Sequence, residues 1–263
     1  MEQPDRYLMS NRDELARERL DALGALFDPV SHHRLLERGL RQGWRCWEVG
    51  AGRRSLVDWM AHVVGPEGRV IATDLEISGL KGPMPSWVEV LQADVAVDDA
   101  PKGPFDLVHA RLVLTHVPER ERALASMAAS LGPRGVLVIE DADVALQPLA
   151  SLEDGEEAAL ANKVRGAFRE LMTQRDAVLS VGRSLPGELR ELGLAEVQAE
   201  AWFPLVDQRS QRIEQLTVLL LRDRLVAAGL LSAPEIKKHL ANLKRGLVHV
   251  VQPPLVGCWG HRA

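Results

Sequence analysis

The sequence predicts an α/β fold: a mostly parallel sheet of seven strands with helices on both faces, N-terminal helices and helical insertions in the C-terminal part. Between Gly43 and Asp141, apolar strand-like runs alternate with segments of helical periodicity, which is typical of parallel sheets. Turn signals separate these runs at the expected places. They are Gly65-Pro66-Glu67-Gly68, Pro104 and Gly132-Pro133-Arg134-Gly135.

Composition and charge indicate an ordinary globular protein with no basic footprint for nucleic acid. The 263 residues are 46% hydrophobic and 26% charged, as in ordinary globular chains. The net charge of −5 and a pI near 5.9 argue against a nucleic-acid partner. No signal-peptide pattern or membrane-length apolar run is present, so we expect a cytoplasmic monomer or homodimer without a membrane partner.

The two cysteines predict buried, reduced thiols. Cys46 lies in the first predicted strand and Cys258 in the last, with no Cys-x-x-Cys spacing. This pattern suits a reducing compartment and favours neither a disulfide framework nor a zinc site.

The first 42 residues are predicted to be helical. Ser10 and Asp13 have capping-box spacing, and a helical stripe of leucines with Phe27 follows them. Asp28-Pro29 is expected to end this helix, and a second helix is expected to reach about Leu40.

A glycine loop between the first strand and the next helix predicts a ligand site. The run ending at Val49 reads as a buried strand, and helical periodicity begins at Leu56. Gly50 and Gly52 lie between them. Glycines allow close backbone approach, and the free N–H groups of a helix N-terminus favour an anionic group. Alone, such a loop could equally be a tight turn.

Two acids follow at the ends of the next strands. Asp74, in the run Thr73-Asp74-Leu75-Glu76, ends the second strand roughly 20 residues past the loop, where an acid holds ribose hydroxyls. The alternative is that Asp74 caps a helix. Asp94, after the third strand, could accept from an adenine amine or could cap a turn.

The C-terminal part departs from this alternation. We predict a helix over 151–176, a sixth strand over 196–203, helices over about 210–228 and 233–245, and a last strand near 255–259.

Between about Gly43 and Asp141 the chain resembles the class I S-adenosylmethionine-dependent methyltransferases, and most closely their small-molecule branch. The matching residues are Glu48-Val49-Gly50-Ala51-Gly52, Asp74, Ala93-Asp94-Val95, Phe105 through Arg111, and His116-Val117-Pro118.

The resemblance implies a Rossmann-like single domain that binds S-adenosylmethionine. Residues 1–42 would cover the cleft, 43–142 would form the cofactor-binding core, and 143–263 would complete the sheet and supply the substrate lid. The cofactor-binding residues would be Glu48, Gly50, Ala51, Gly52, Asp74, Leu75, Asp94, Val95, Ala110 and Arg111.

One position departs from the family pattern. The family usually has a glycine two residues after Gly52, whereas this chain has Arg54, preceded by Arg53. A cation at a helix N-terminus opposes the helix dipole by a few tenths of a kcal/mol. Arg54 could replace a packing glycine, could reach the cofactor carboxylate, or could obstruct the pocket. We favour the first interpretation.

Methyl transfer is an in-line displacement that needs alignment, exclusion of water and, for a protonated nucleophile, a base. His116 and Glu140 are the predicted catalytic residues. A structural role for His116 is the alternative. Tyr7 and Asp141 are the predicted substrate contacts; the alternative for Tyr7 is that it packs at the edge of the domain. The spacing of Glu140 and Asp143 could suit a metal, but no further ligand lies nearby in sequence, so no metal is predicted.

Three functions remain open at this stage. The first is methylation of O, N or C in a small metabolite, in natural-product biosynthesis. The second is a non-methylating cyclase, isomerase or binding protein built on the same pocket, which the two arginines favour. The third, a nicotinamide-dependent dehydrogenase, fits less well because Ser55 stands where its fingerprint has the third glycine.

Overall fold

The computed structural model describes residues 14–147, 155–205 and 208–263. Within these ranges the seven strands are β1 (Arg45–Val49), β2 (Arg69–Asp74), β3 (Val88–Gln92), β4 (Phe105–Arg111), β5 (Leu131–Ala142), β6 (Ala195–Trp202) and β7 (Leu255–His261). The α-helices are α1 (Glu14–Glu37), α2 (Arg54–Val64), α3 (Arg120–Ala129), α4 (Glu156–Thr173), α5 (Val181–Glu191), α6 (Gln208–Ala227) and α7 (Ala233–Lys244).

The strands form one sheet in the order β3-β2-β1-β4-β5-β7-β6. All neighbours are parallel except β7, which is antiparallel to both β5 and β6. The predicted mostly parallel, Rossmann-like fold is therefore confirmed. The strand order reverses between β1 and β4: β2 and β3 lie beyond β1 on one side, and β5 lies beyond β4 on the other. Open α/β sheets bind ligands at the carboxyl ends of the strands at such a switch point.

The central strands are buried on both faces, which explains their continuous apolar runs. In β1, Cys46 packs with Met60 and Leu107 on one face, whereas Trp47 packs with Phe105 and other residues on the opposite face. Alternate residues of a strand point to opposite faces, so one five-residue strand supplies both cores. The two cysteines are free and buried, as predicted, and burial raises the pKa of the Cys258 thiol to about 12.

The N-terminal prediction was wrong about the helix break. Instead of two helices separated at Asp28-Pro29, α1 runs continuously from Glu14 to Glu37 with Pro29 inside it. An internal proline costs about 3 kcal/mol. Here, buried residues on both sides of Pro29, including Phe27 and Leu35, hold the helix against the rest of the fold. Tyr7 and the Ser10–Asp13 cap lie outside the described residues.

The C-terminal helices occupy the predicted insertions, with one addition. The helix expected over 151–176 is α4, and the two later helices are α6 and α7. Helix α5 was not predicted, and Pro186 within it obscures its pattern. Helices α4 and α6 share an apolar cluster that includes Val164, Met172 and Leu221. No helix within the described ranges is long and apolar enough to cross a bilayer.

A buried ion pair ties α1 to the middle of the sheet. Arg34, whose side chain is 2% exposed, donates to Glu140 at the end of β5, whose side chain is fully buried. Ser31 donates to the same carboxylate. Arg34 also reaches the edge strand β6, where its Nε donates to Glu200 Oε1 at 3.0 Å. A Cβ added at Gly257 of β7 would overlap the guanidinium, so the glycine provides space for Arg34.

We predict that Glu140→Gln destabilises the fold strongly. The change removes the buried carboxylate that pairs with Arg34 and leaves only Glu200, whose side chain is 54% exposed, as its charged partner; breaking a buried pair costs about 3–5 kcal/mol. Urea unfolding monitored by circular dichroism measures the loss. The control is Glu89→Gln, which breaks the exposed pair with Arg69 and should cost less than about 1 kcal/mol. Equal effects of the two substitutions would contradict a stabilising role for the buried pair.

Candidate active site

A cavity of about 1060 Å³ opens at the carboxyl edge of the sheet. It is bounded by the loop after β1, by the ends of β2, β4 and β5, and by α1, α4 and α6. Ten of the predicted site residues line it: Glu48, Gly50, Ala51, Gly52, Asp74, Leu75, Asp94, Arg111, His116 and Asp141. Val95 lines an adjoining recess of about 40 Å³, to which Asp74 and Asp94 also contribute.

Two predicted residues do not line the cavity. Ala110 is buried in the core and pairs with Val49 through the sheet. Glu140 is fully buried beneath the site, where its carboxylate accepts from Ser31 and Arg34 and contacts the His109 ring. We had predicted Glu140 as a base at the reacting atoms, and its position instead makes it part of a structural network.

The glycine loop has the geometry that its sequence predicts. Gly50 and Gly52 have φ values of 64° and 57°, in the region that favours glycine. A Cβ at Gly50 would overlap the Val113 side chain across the cavity floor. The loop is held to β2 because the Ala51 amide donates to the Thr73 carbonyl oxygen at 3.0 Å.

Asp74 joins the loop to the end of β2. Its Oδ2 accepts from the Gly52 amide at 2.8 Å, and its Oδ1 accepts from the Glu76 amide at 2.8 Å. Burial raises the pKa of this carboxyl group, and these two hydrogen bonds partly oppose the rise. The short 3-10 helix that follows is capped by the side chain of Glu76, so helix capping does not explain Asp74.

Asp94 lines the cavity and also orders its own turn. Its Oδ1 accepts from the Ala96 amide at 2.9 Å, while its own amide donates to Asp98 at 2.8 Å. The turn-capping interpretation of Asp94 is therefore correct, and it leaves the residue on the cavity wall together with Leu75.

The two arginines after the loop are both paired. Arg53 lines the cavity and makes a bidentate contact to Asp21 of α1, at 2.6 and 3.0 Å. Arg54 pairs with Asp58 one turn along α2, at 3.0 and 3.1 Å. It also donates to the carbonyl oxygen of Pro83 at 2.8 Å. Arg54 is not among the residues that line the cavity, which agrees with the packing interpretation.

Beneath the cavity floor, neighbouring strands carry a polar cluster. The His109 ring contacts Glu48 at 2.6 Å through Nδ1 and Glu140 at 3.2 Å through Nε2. Arg111 donates to Asp28 at 2.6 Å and to Ser31 at 2.8 Å, both on α1. Arg111 thus lines the cavity while its guanidinium is held by the covering helix.

Comparison with known proteins identifies the family. The model of the methyltransferase domain family matches residues 10–198, which is more than half of the chain. The chain belongs to this methyltransferase domain family. The glycine loop, Asp74 and the strand ends described above all lie inside the matched range.

Two curated relatives of this methyltransferase-family chain are ubiquinone/menaquinone biosynthesis C-methyltransferases named UbiE. That of Pseudomonas fluorescens is 30% identical over 150 residues, which cover 49% of this chain and 59% of the relative. That of Vibrio cholerae is 31% identical over 137 residues, which cover 46% of this chain and 53% of the relative. The matched region thus spans little more than half the length of these relatives.

A solved structure with a similar fold is phosphoethanolamine N-methyltransferase 2 of Haemonchus contortus, in complex with phosphomonomethylethanolamine and S-adenosylhomocysteine. The superposition has a TM-score of 0.57 at 15% sequence identity, and it covers 96% of this chain and 60% of that one. At this identity the similarity establishes the fold alone.

His116, a predicted catalytic residue, and Asp141, a predicted substrate contact, both line the cavity of this methyltransferase-family protein. Burial, with a smaller contribution from Arg19, lowers the pKa of His116 to about 4, so the ring is neutral at pH 7. Asp141 accepts from the Thr115 hydroxyl at 2.7 Å and from the Ala142 amide at 2.8 Å. Burial raises the pKa of Asp141. Among the described residues, no group of three or more potential ligands is placed to hold a metal ion.

Sequence reasoning missed the residues that the covering helices bring to the cavity. These are Arg19 and Leu23 from α1, Arg165 and Phe168 from α4, and Glu214, Thr217 and Val218 from α6. The spacing of Arg19, Leu23 and Phe27 places them on one side of a helix, but only the packing of α1 shows that this side faces the cavity.

We predict that His116 makes stability depend on pH between about 6.5 and 4. In this window the unfolded ring binds a proton that the folded ring does not, so stability falls as the pH falls and levels off below pH 4. The effect should be about 2 kcal/mol between pH 7.5 and 4.5. Urea unfolding of the wild type and His116→Asn at both values measures it. The variant should lose less stability on acidification, and an identical loss would contradict the lowered pKa.

Proposed function

We propose that this chain is an S-adenosylmethionine-dependent methyltransferase that methylates O, N or C of a small metabolite. The observation that carries the proposal is the position of Asp74, which faces the cavity while bonded to the Gly52 amide at 2.8 Å. This contact holds Asp74, the acid that we propose binds the ribose, beside the glycine loop, in a chain whose family is that of methyltransferase domains.

The residues present fit the cofactor. A carboxylate offers about four acceptor sites, and Asp74 uses two of them on backbone amides, so it can still accept from a pair of ribose hydroxyls. Leu75, Asp94 and Val95 would hold the adenine, with Asp94 near its amine. The glycine loop would accept the methionine part, with Glu48 beneath it. When bound, the cofactor supplies an electrophilic methyl group.

Catalysis by this chain would depend mainly on how the cavity positions the cofactor and the substrate relative to each other. Ligand pockets typically have volumes of about 300–1,000 Å³, and this cavity is at the upper limit, which suits a cofactor and a substrate together. Helices α1, α4 and α6 would cover both ligands and exclude water. His116, neutral at pH 7, can accept a proton from a nucleophile, although a pKa near 4 makes it a weak base before substrate binds.

The relatives favour carbon as the methylated atom. Both UbiE proteins are named as C-methyltransferases of quinone biosynthesis, and we propose a biosynthetic role of this kind, extended to natural products. The buried free cysteines support action in the cytoplasm. The non-methylating alternative rested on Arg53 and Arg54. The pairing of Arg54 with Asp58 away from the cavity supports methylation over that alternative at this position, whereas Arg53 stays at the cavity wall and pairs with Asp21.

We predict that Asp74→Ala weakens binding of S-adenosylmethionine at least tenfold. Hydrogen bonds to a charged group contribute about 1.5–3 kcal/mol each, and the variant would lose two of them. Isothermal titration calorimetry measures the dissociation constant. Asp58→Ala, which removes an acid on the outer side of α2, should leave the constant within twofold. Unchanged affinity in a folded Asp74→Ala protein would disprove the assignment.

We predict that Arg54→Gly changes the affinity for S-adenosylmethionine by no more than a few-fold, because the guanidinium lies away from the cavity. The variant should unfold more easily by roughly 1 kcal/mol, since it loses a surface ion pair and places glycine in the first turn of α2. Calorimetry and urea unfolding test the two parts. A shift in the dissociation constant of more than tenfold in either direction would contradict the packing interpretation.

A further inference from the structure

The cavity has an apolar wall where α4 and α6 line it. Apolar side chains of α4 and α6 pack in one cluster and also line the cavity. They are Val164, Phe168, Met172, Val218, Leu221 and Leu225. An apolar wall of this kind suits the body of a hydrophobic ligand.

Arg19 lies at the edge of this wall, and its guanidinium is held by a threonine of α6. Its Nε donates to the Thr217 hydroxyl of α6 at 2.8 Å. Within the part of the chain that the structure describes, Arg19 makes no ion pair with a carboxylate. Burial lowers the pKa of its guanidinium to about 10, so the group still carries its charge at pH 7.

The other arginines that line the cavity have acids near them. Arg53 pairs with Asp21 and Arg111 pairs with Asp28. Arg165 lies in the field of Glu214, which is also 3.3 Å from the His239 ring. Among the arginines that line the cavity, Arg19 is therefore the cation whose charge the described residues leave unbalanced, and a cation partly removed from water favours an anionic partner.

The orientation of α1 separates Arg19 from the cofactor side. Leu20 and Gly24, on one side of the helix, approach Gly52 and Ser55 of the glycine loop. Arg19, Leu23 and Phe27 follow one another at four-residue spacing on the next side, and Phe27 packs with Ile213 of α6. Together with the bond to Thr217, this places Arg19 toward α6 and its apolar wall.

We propose that the methyl acceptor is an amphipathic molecule with an apolar body and an oxyanion group, and that Arg19 binds the oxyanion. This inference rests on the proposed function and specifies its substrate class. The apolar body would lie against the wall that α4 and α6 form. The guanidinium fork would bind a carboxylate or a phosphate through paired hydrogen bonds, while Thr217 holds its Nε.

The test uses the full chain saturated with S-adenosylhomocysteine and titrates three probes with the same ten-carbon body: decanoate, decyl phosphate and decanol. Calorimetry gives each affinity for the wild type, Arg19→Gln and Arg212→Gln. Arg212 is the matched control, because it lies at the same α1–α6 interface and pairs with Glu18. We expect the wild type and Arg212→Gln to bind at least one anionic probe at least tenfold more tightly than decanol. Arg19→Gln should reduce that preference to less than threefold.

The affinity for S-adenosylhomocysteine, measured in the same variants, separates the possible failures. We expect Arg19→Gln to keep it within twofold, which also shows that the variant is folded. A loss of tenfold or more in this affinity would mean that Arg19 binds the cofactor carboxylate and would overturn the proposal. Wild-type protein that binds the cofactor product but shows no preference for an anionic probe would overturn it too. Failure of the wild type to bind S-adenosylhomocysteine would instead refute the proposed function.

Discussion

The buried contact between Arg34 and Glu140 is the constraint on which the site depends. Glu140 lies at the carboxyl end of β5, and the same carboxylate contacts Ser31 and the His109 ring. His109 in turn contacts Glu48 at the end of β1. Charges removed from water are stable only when their partners are in place, so this network requires α1 to lie across these strand ends. The cavity that α1 covers is a consequence of that arrangement.

Helix α1 also contributes charged side chains to two sides of the cavity. Asp21 and Asp28 hold Arg53 and Arg111, two of the arginines nearest the glycine loop. One residue before Leu20, which approaches Gly52, Arg19 turns instead toward Thr217 of α6. Among the described residues, α1 thereby pairs the cations Arg53 and Arg111 with acids and leaves Arg19 without an acidic partner beside α6. This asymmetry gives the two halves of the cavity different chemistry.

The position of Arg54 shows how the family pattern can change without closing the pocket. At the start of α2 an arginine side chain can leave the cavity along the helix surface, where it reaches Asp58 and the carbonyl oxygen of Pro83. Gly50 has no such freedom, because its positive φ and the nearby Val113 side chain both exclude a Cβ. The loop therefore depends on glycine at position 50 for steric reasons that do not apply at position 54.

The sequence by itself determined the sheet, the glycine loop and the acids at Asp74 and Asp94, because strand periodicity and turn chemistry are local properties of the chain. It could not show that Pro29 lies inside a continuous helix, since contacts distant in sequence offset the local cost. It also placed Glu140 at a strand end correctly but could not show that Arg34 and Ser31 enclose it. The cavity wall formed by α1, α4 and α6 was decided by tertiary structure alone. Arg19, Arg165 and Thr217 belong to three helices far apart in sequence, and only their packing brings them together.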